Sequence, residues 1–296
     1  MIEQTRERLG GFGVWISPVA LLNAPIDQQR EGFARIEALG YRSVWFGEPP
    51  AVAPVVGREV IAQLAVALAS TERLVAASGI ANISRRDAGT THSAAATLAE
   101  AYPGRLVLGL GGKIGDRPLT GLRTYLDQMD AAAELSSVGV PYPRVLAALG
   151  PKAHALAAER THGAHPFLQP VKHTESARQL LGPDRLLIPH QALLLETDAD
   201  TARGQMRTML ALGQRDAETP YTRHYRRLGY TNADIAGERS DALIDDTFAW
   251  GTPKTITRRL HDHLDAGADH VLLHPLTDDF AEVVDQLAEI APHLRG

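Results

Sequence analysis

Eight short apolar runs, each followed by a longer stretch of helical periodicity, divide this chain from end to end. The runs are FGVWIS (12–17), SVWFGE (43–48), LVAASGIANI (74–83), RLVLGLGG (105–112), RVLAALG (144–150), AHPFLQ (164–169), RLLIPHQALLLET (185–197) and DHVLLHPL (269–276). Each is apolar at successive positions, which is the pattern of a parallel strand covered on both faces. The stretch after the first run places Ile26, Phe33, Ile36 and Leu39 on one helical face. Eight strand–helix units in 296 residues fit an α/β fold of the (β/α)8 TIM-barrel type, a single domain spanning residues 1–296. A doubly wound sheet would need two arrays of strands, and no dinucleotide fingerprint is present, since LGLGGKIGD (108–116) does not carry its spacing.

One stretch interrupts the alternation. Gln214 to Gly267 lies between the seventh unit and the eighth strand and reads as several short helices, with Pro253 in the first turn of one. On a barrel, an insertion at this point is expected over the C-terminal mouth as a lid.

Composition narrows the chemistry. There is no cysteine, so disulfides, thiolate metal sites and a cysteine nucleophile are excluded. The formal net charge is -5 with no long charged run, so neither nucleic acid nor a membrane surface is an expected partner. MIEQTRERLG, at the start, is followed by no apolar stretch, and no run of about 18 apolar residues occurs. A soluble cytoplasmic protein is expected.

Barrel enzymes assemble their sites from the loops after each strand. Here those positions hold Ser17, Glu48-Pro49, Ser78 to Asn82, Gly111-Gly112-Lys113, Gly150-Pro151-Lys152, His165, His190 and His274. Glycine recurs, and glycine lets a ligand touch backbone. Within LVAASGIANI, Gly79 interrupts a strand, the mark of a bulge or a close backbone approach. Gly150-Pro151-Lys152 opens a helix, where free amides, the helix dipole and a lysine together suit an anion; a plain proline-capped helix fits equally. Glu48 is the one carboxylate at a strand end, so paired-carboxylate glycosidase chemistry is not expected. No H-x-H strand motif marks a metal centre, and no metal is expected. A glycine-lined mouth with little acid–base equipment suits a cofactor that carries the chemistry.

GYRSVWFGE, LVAASGIANI, YPGRLVLGLGG and LAAERTHGAHPFL, in this order, resemble the luciferase-like flavin and deazaflavin oxidoreductases. The later RLGYTNADIAG and DALIDDTFAWGTPKTITRRLHDHLDAGADHVLL are similar to the actinobacterial branch that uses coenzyme F420. The resemblance covers nearly the whole chain. It implies a TIM-type barrel that binds its tricyclic cofactor in the mouth, and a homodimer. It further implies a third strand ending in a bulge, often with a non-prolyl cis peptide, behind the cofactor ring. The matching residues are Ser78, Gly79 and Ile80, with Asn82 directed into the mouth. Gly111 and Gly112 match the loop lining the cofactor, Gly150, Pro151 and Lys152 the phosphate position, and Gly163 and Ala164 a cofactor-side turn. Glu48 matches the acid after strand two and, with His165, is the polar equipment expected nearest the reacting ring. Many deazaflavin dehydrogenases of the family carry a histidine directly after that acid; this chain has Pro49, so their sugar-phosphate dehydrogenase activity is not carried over. The expected activity is hydride transfer between F420 and a small organic substrate. The alternatives are an FMN-dependent two-component monooxygenase and a barrel that binds cofactor without turnover.

Overall fold

A computed structural model describes residues 1–49, 57–135, 139–213 and 218–294. Its strands are β1 (Phe12–Ile16), β2 (Ser43–Phe46), β3 (Val75–Ser78), β4 (Ala81–Asn82), β5 (Leu106–Gly111), β6 (Arg144–Ala147), β7 (Gly163–His165), β8 (Leu186–Leu187), β9 (His190–Leu194), β10 (Ala249–Trp250) and β11 (Val271–Pro275). The order is β10-β9-β11-β1-β2-β3-β5-β6-β7-β8, with β4 beside β5, and the pairings are parallel. β8 and β9 are two halves of one strand, broken at Pro189, which has no N–H to give the ladder. On one side of the break the Ile188 N–H donates to Ala164 O at 2.9 Å; on the other the Leu272 N–H donates to Pro189 O at 3.0 Å. The ring of strands therefore closes, and the expected (β/α)8 barrel is present with β10 as a short addition outside it.

The apolar runs supply both faces, as their composition requires. Trp15, Trp45, Val75, Ala77, Val107, Val145, Leu186 and Leu272 form one buried cluster inside the ring, and Leu9 from the helix Ile2–Leu9 joins it. Their alternates, among them Val14, Val44, Phe46, Ala76, Leu106, Leu108 and Leu146, pack in the larger cluster that also holds helix residues. Gly13 is required where it stands. A Cβ there would meet Ser43 Oγ at 2.0 Å and His270 Nε2 at 2.4 Å. Those two atoms bond each other at 2.7 Å, and the Trp45 indole N–H donates to Ser43 Oγ at 2.8 Å.

The stretch expected as a lid divides in two. Its residues 214–217 lie outside the described residues. The helices Pro220–Arg227, Asn232–Ile235 and Asp241–Thr247 follow. The helix Pro253–Asp265, however, belongs to the outer layer of the barrel, with Ile256 and Leu260 fully buried in its core. Thr252 caps it by accepting from the Thr255 N–H at 3.2 Å. The helix Ala199–Gly213 instead packs Ala202, Met206 and Leu210 against Ile244 and Phe248 of the inserted segment. The seventh strand is thus followed first by the insertion and then by its outer helix. No helix among the described residues is long and apolar enough to cross a membrane.

Candidate functional site

A cleft of about 1470 Å³ opens at the C-terminal ends of the strands. Drug-sized sites usually span about 300–1,000 Å³, so this one has room for a large cofactor and a second molecule. The C-terminal ends of β1, β2, β3, β5, β6 and β7 and the segments that follow them contribute to it, and the helix Pro220–Arg227 adds Pro220, Tyr221, Arg223 and Arg227.

The third strand forms one wall. β3 pairs Ala77 with Val107, and β4 pairs Ala81 with Leu110. Four steps along one strand thus match three along the other, which is a β-bulge. It falls at Ser78-Gly79-Ile80, as the interrupted run suggests, and the Gly79–Ile80 peptide is cis. The Trp15 indole N–H donates to Gly79 O at 2.6 Å, and the Gly79 N–H donates to Phe46 O at 2.8 Å. Ile80 stands against Gly111: a Cβ there would lie 2.8 Å from Ile80 Cδ1 and 2.8 Å from Ala147 Cβ. Gly112 has φ +98°, and a Cβ on it would meet Asn82 Oδ1 at 2.3 Å. The wall is therefore bare backbone flanked by Ile80 and Ala147, a surface on which a flat ring can lie.

Glu48 ends β2 in a buried position on the cleft. Both oxygens are engaged: Oε2 accepts from the Asn82 N–H at 2.8 Å and from Arg86 Nη1 at 2.9 Å, and Oε1 from Arg86 Nη2. Arg86 also pairs with Glu59. The carboxylate thereby ties the end of β2 to the bulged strand, a partnership between residues 38 apart. His165 also lines the cleft. Its Nδ1 is 2.8 Å from Ile188 O, which places the proton on Nδ1, and its Nε2 is buried without a partner among the described residues. Burial lowers its pKa to about 4, so the ring is neutral at physiological pH.

The other end of the cleft is cationic. Gly150, with no side-chain cap, precedes the helix Pro151–Arg160; Pro151 has no N–H and the Ala153 N–H donates to Gly150 O at 3.0 Å, so the Lys152 N–H is the first-turn amide left without a helical acceptor. Lys152 lines the cleft there, and a Cβ on Gly150 would lie 2.9 Å from Arg227 Nη1. Among the described residues Lys113, Lys152 and Arg227 have no carboxylate partner, while Arg223 stands 3.9 Å from Glu218.

Three expected cofactor contacts do not reach the cleft. Ser78 is fully buried, its hydroxyl donating to Gly109 O at 2.8 Å and accepting from the Gly109 N–H at 3.0 Å. Gly163 and Ala164 lie within β7, where a Cβ on Gly163 would meet Leu186 O at 2.2 Å, so that glycine serves strand packing. His190 and His274 lie beneath the cleft, bonded to each other at 2.9 Å. No cluster of three metal-capable side chains occurs among the described residues. Conversely, Trp15, Phe167, Tyr221 and Arg227 line the cleft without having been singled out. Trp15 was legible as an inward position of the first run, and Arg227 lies in the basic HYRRLGY stretch.

Residues 11–118 match the family model of the luciferase-like monooxygenases. That match spans the strands β1 to β5 and about a third of the chain. No curated protein matches the chain in sequence. Among solved structures, the barrel is similar to the coenzyme F420-dependent tetrahydromethanopterin reductase from Methanopyrus kandleri. Identity is 16%, 96% of this chain and 99% of that one are covered, and the TM-score is 0.70. It is similar to an F420-dependent secondary alcohol dehydrogenase bound to an F420–acetone adduct, with 16% identity, 97% and 99% coverage and a TM-score of 0.68. It is also similar to the oxygenating constituent of 3,6-diketocamphane monooxygenase from the CAM plasmid of Pseudomonas putida, in complex with FMN. There the identity is 14%, the coverage 96% and 98%, and the TM-score 0.65. At these identities the likeness is one of fold.

Proposed function

We propose that the chain is an oxidoreductase that binds the deazaflavin F420 in the cleft and acts on a small organic substrate beside it. The observation that carries this reading is the pairing of a bare, flat wall at Gly79-Ile80 and Gly111 with a rim of unpaired cations at Lys113, Lys152 and Arg227. The chain as a whole is acidic, so such a rim is a local feature suited to an anionic arm. FMN ends in a single phosphate. F420 carries a phosphate and a further run of carboxylates, and three cations beside an uncapped helix suit the longer anion better.

Bound there, F420 would supply a carbon that accepts or returns a hydride. The protein's part is to hold and enclose. Ile80 and the glycines would support the ring, while the Lys152 side chain and N–H and Arg227 would hold the phosphate. Trp15 and Phe167 exclude water from the floor. Asn82 Nδ2, with no partner among the described residues, is placed to donate to the ring edge. His165 is a neutral acceptor through Nε2.

Absorbance titration with F420 and FMN is the direct test. F420 is expected to bind at least ten times more tightly; tighter binding of FMN would overturn the assignment in favour of a flavin enzyme. Lys152→Ala and Arg227→Ala are each expected to cost about 1–3 kcal/mol of F420 binding at low ionic strength, and less as salt rises. Unchanged affinity in both variants would remove the phosphate from this end of the cleft.

A further inference from the structure

Given a ring on the Gly79-Ile80 wall and its anionic arm on the Lys152 rim, the rest of the cleft is walled by Trp15, Pro18, Leu119, Phe167 and Tyr221. Its one carboxylate, Glu48, is closed off by Arg86 and the Asn82 amide. A cationic substrate would therefore find no counter-ion, and an anionic one would meet, in a mainly apolar wall, only Arg223, which already faces Glu218 at 3.9 Å. Tyr221 differs from its neighbours. Its hydroxyl has no hydrogen-bond partner among the described residues. Its ring packs with the cluster that contains Phe167 and Leu168, and lies 6.5 Å from that of Tyr225.

The helix that carries Tyr221 is held firmly. A Thr219–Thr222 capping box starts it, with Pro220 at its first position. His224 Nε2 and His173 Nδ1 are 2.9 Å apart, and the Tyr225 hydroxyl donates to Leu168 O at 3.3 Å. Burial raises the Tyr221 pKa, so the phenol remains a donor throughout the working range. A fixed, unpaired donor in an apolar wall discriminates strongly, because a ligand without an acceptor leaves it unsatisfied.

We propose that Tyr221 is the specificity-determining contact for the substrate, donating a hydrogen bond to the single oxygen function of an uncharged, mainly apolar organic molecule. This rests on the cofactor assignment above. Asn82 Nδ2, a second unpaired neutral donor among the described residues, stands at Gly112 on the wall assigned to the cofactor.

The test uses the full chain loaded with F420 and three probes of one shape: acetophenone, ethylbenzene and benzoate, with binding measured by calorimetry. Acetophenone is expected to bind about three- to tenfold more tightly than ethylbenzene, the range for one neutral hydrogen bond, and more tightly than benzoate. Tyr221→Phe is expected to erase the difference between acetophenone and ethylbenzene while leaving F420 affinity and ethylbenzene binding unchanged. An undiminished acetophenone preference in Tyr221→Phe would overturn the proposal, as would benzoate binding best or no binding of acetophenone. Failure of the chain to bind F420 would instead overturn the preceding reading. Repeating the probe series on cofactor-free protein keeps the two results apart.

Discussion

As pH falls below about 6.5 the barrel is expected to lose stability steeply. Nine of the twelve histidines are buried. His165, His190 and His274 lie under the cleft; His154, His173 and His224 cluster behind its cationic end; His263 and His270 are fully enclosed. Burial lowers the pKa of His165, His224 and His270 to about 4 and of His263 and His274 to about 3. It takes His173 and His190 well below the ordinary value, each with a neighbouring histidine adding to the effect. The sign follows from the direction of these shifts. The folded-state values are depressed, so the stability they contribute is present above about pH 6.5, the unfolded value, and is lost as pH falls toward 4. Each such histidine costs about 1.4 kcal/mol per pH unit in that window. Several act in the same direction, against the roughly 5–15 kcal/mol that holds a typical domain. Melting temperature from circular dichroism at pH 8, 7, 6 and 5 should be flat at first and then fall steeply, with proton uptake on unfolding below pH 6.5. A melting temperature that does not change between pH 7 and pH 5 would show that these rings take up protons alike in the folded and unfolded states.

Removing the Arg86 guanidinium is expected to have the next largest effect. The Glu48 side chain is 2% exposed and meets Arg86 through both oxygens. In Arg86→Leu that carboxylate keeps the Asn82 amide and otherwise faces a cleft with no close cation but Arg85, 3.6 Å away. Breaking a buried pair from one side costs about 3–5 kcal/mol. Glu48→Gln in the Arg86→Leu background should restore most of it, since a neutral amide can still accept from Asn82 without a buried charge. Denaturant midpoints of the two variants decide this. If Arg86→Leu lies within about 1 kcal/mol of the parent, or if Glu48→Gln fails to rescue it, the pair is not what anchors β2 to the bulged strand.

This pair also marks where reading the chain residue by residue stops. Glu48 at a strand end looks like a reacting carboxylate, because its partner stands 38 residues away in the loop after β4 and enters only when β2 and β3 lie side by side. The same holds for Ser78, Gly163 and Ala164. Their proximity to strand ends was visible, but whether a side chain meets the cleft or the neighbouring strand depends on register, and one step along a strand reverses it. Gly163 is there because Leu186 O occupies the space a Cβ would take.

What the sequence determined by itself is what depends on local pattern: eight apolar runs, their helical partners, the closed α/β barrel, the break in the third strand at Gly79, and a helix start at Gly150-Pro151; the cis peptide at Gly79-Ile80 was implied only by the family resemblance. Periodicity and glycine or proline placement act within a few residues, so they can be read without the fold. Tertiary structure alone decided what requires groups from distant segments. It brought Arg227 over Gly150, set Tyr221 and Phe167 in one cleft, and closed the Glu48 carboxylate with Arg86. It also placed Pro253–Asp265 in the outer layer, because Ile256 and Leu260 are buried only where the neighbouring strands and helices enclose them. Burial and charge pairing are properties of what surrounds a residue, and on a barrel that surrounding is assembled from segments hundreds of residues apart.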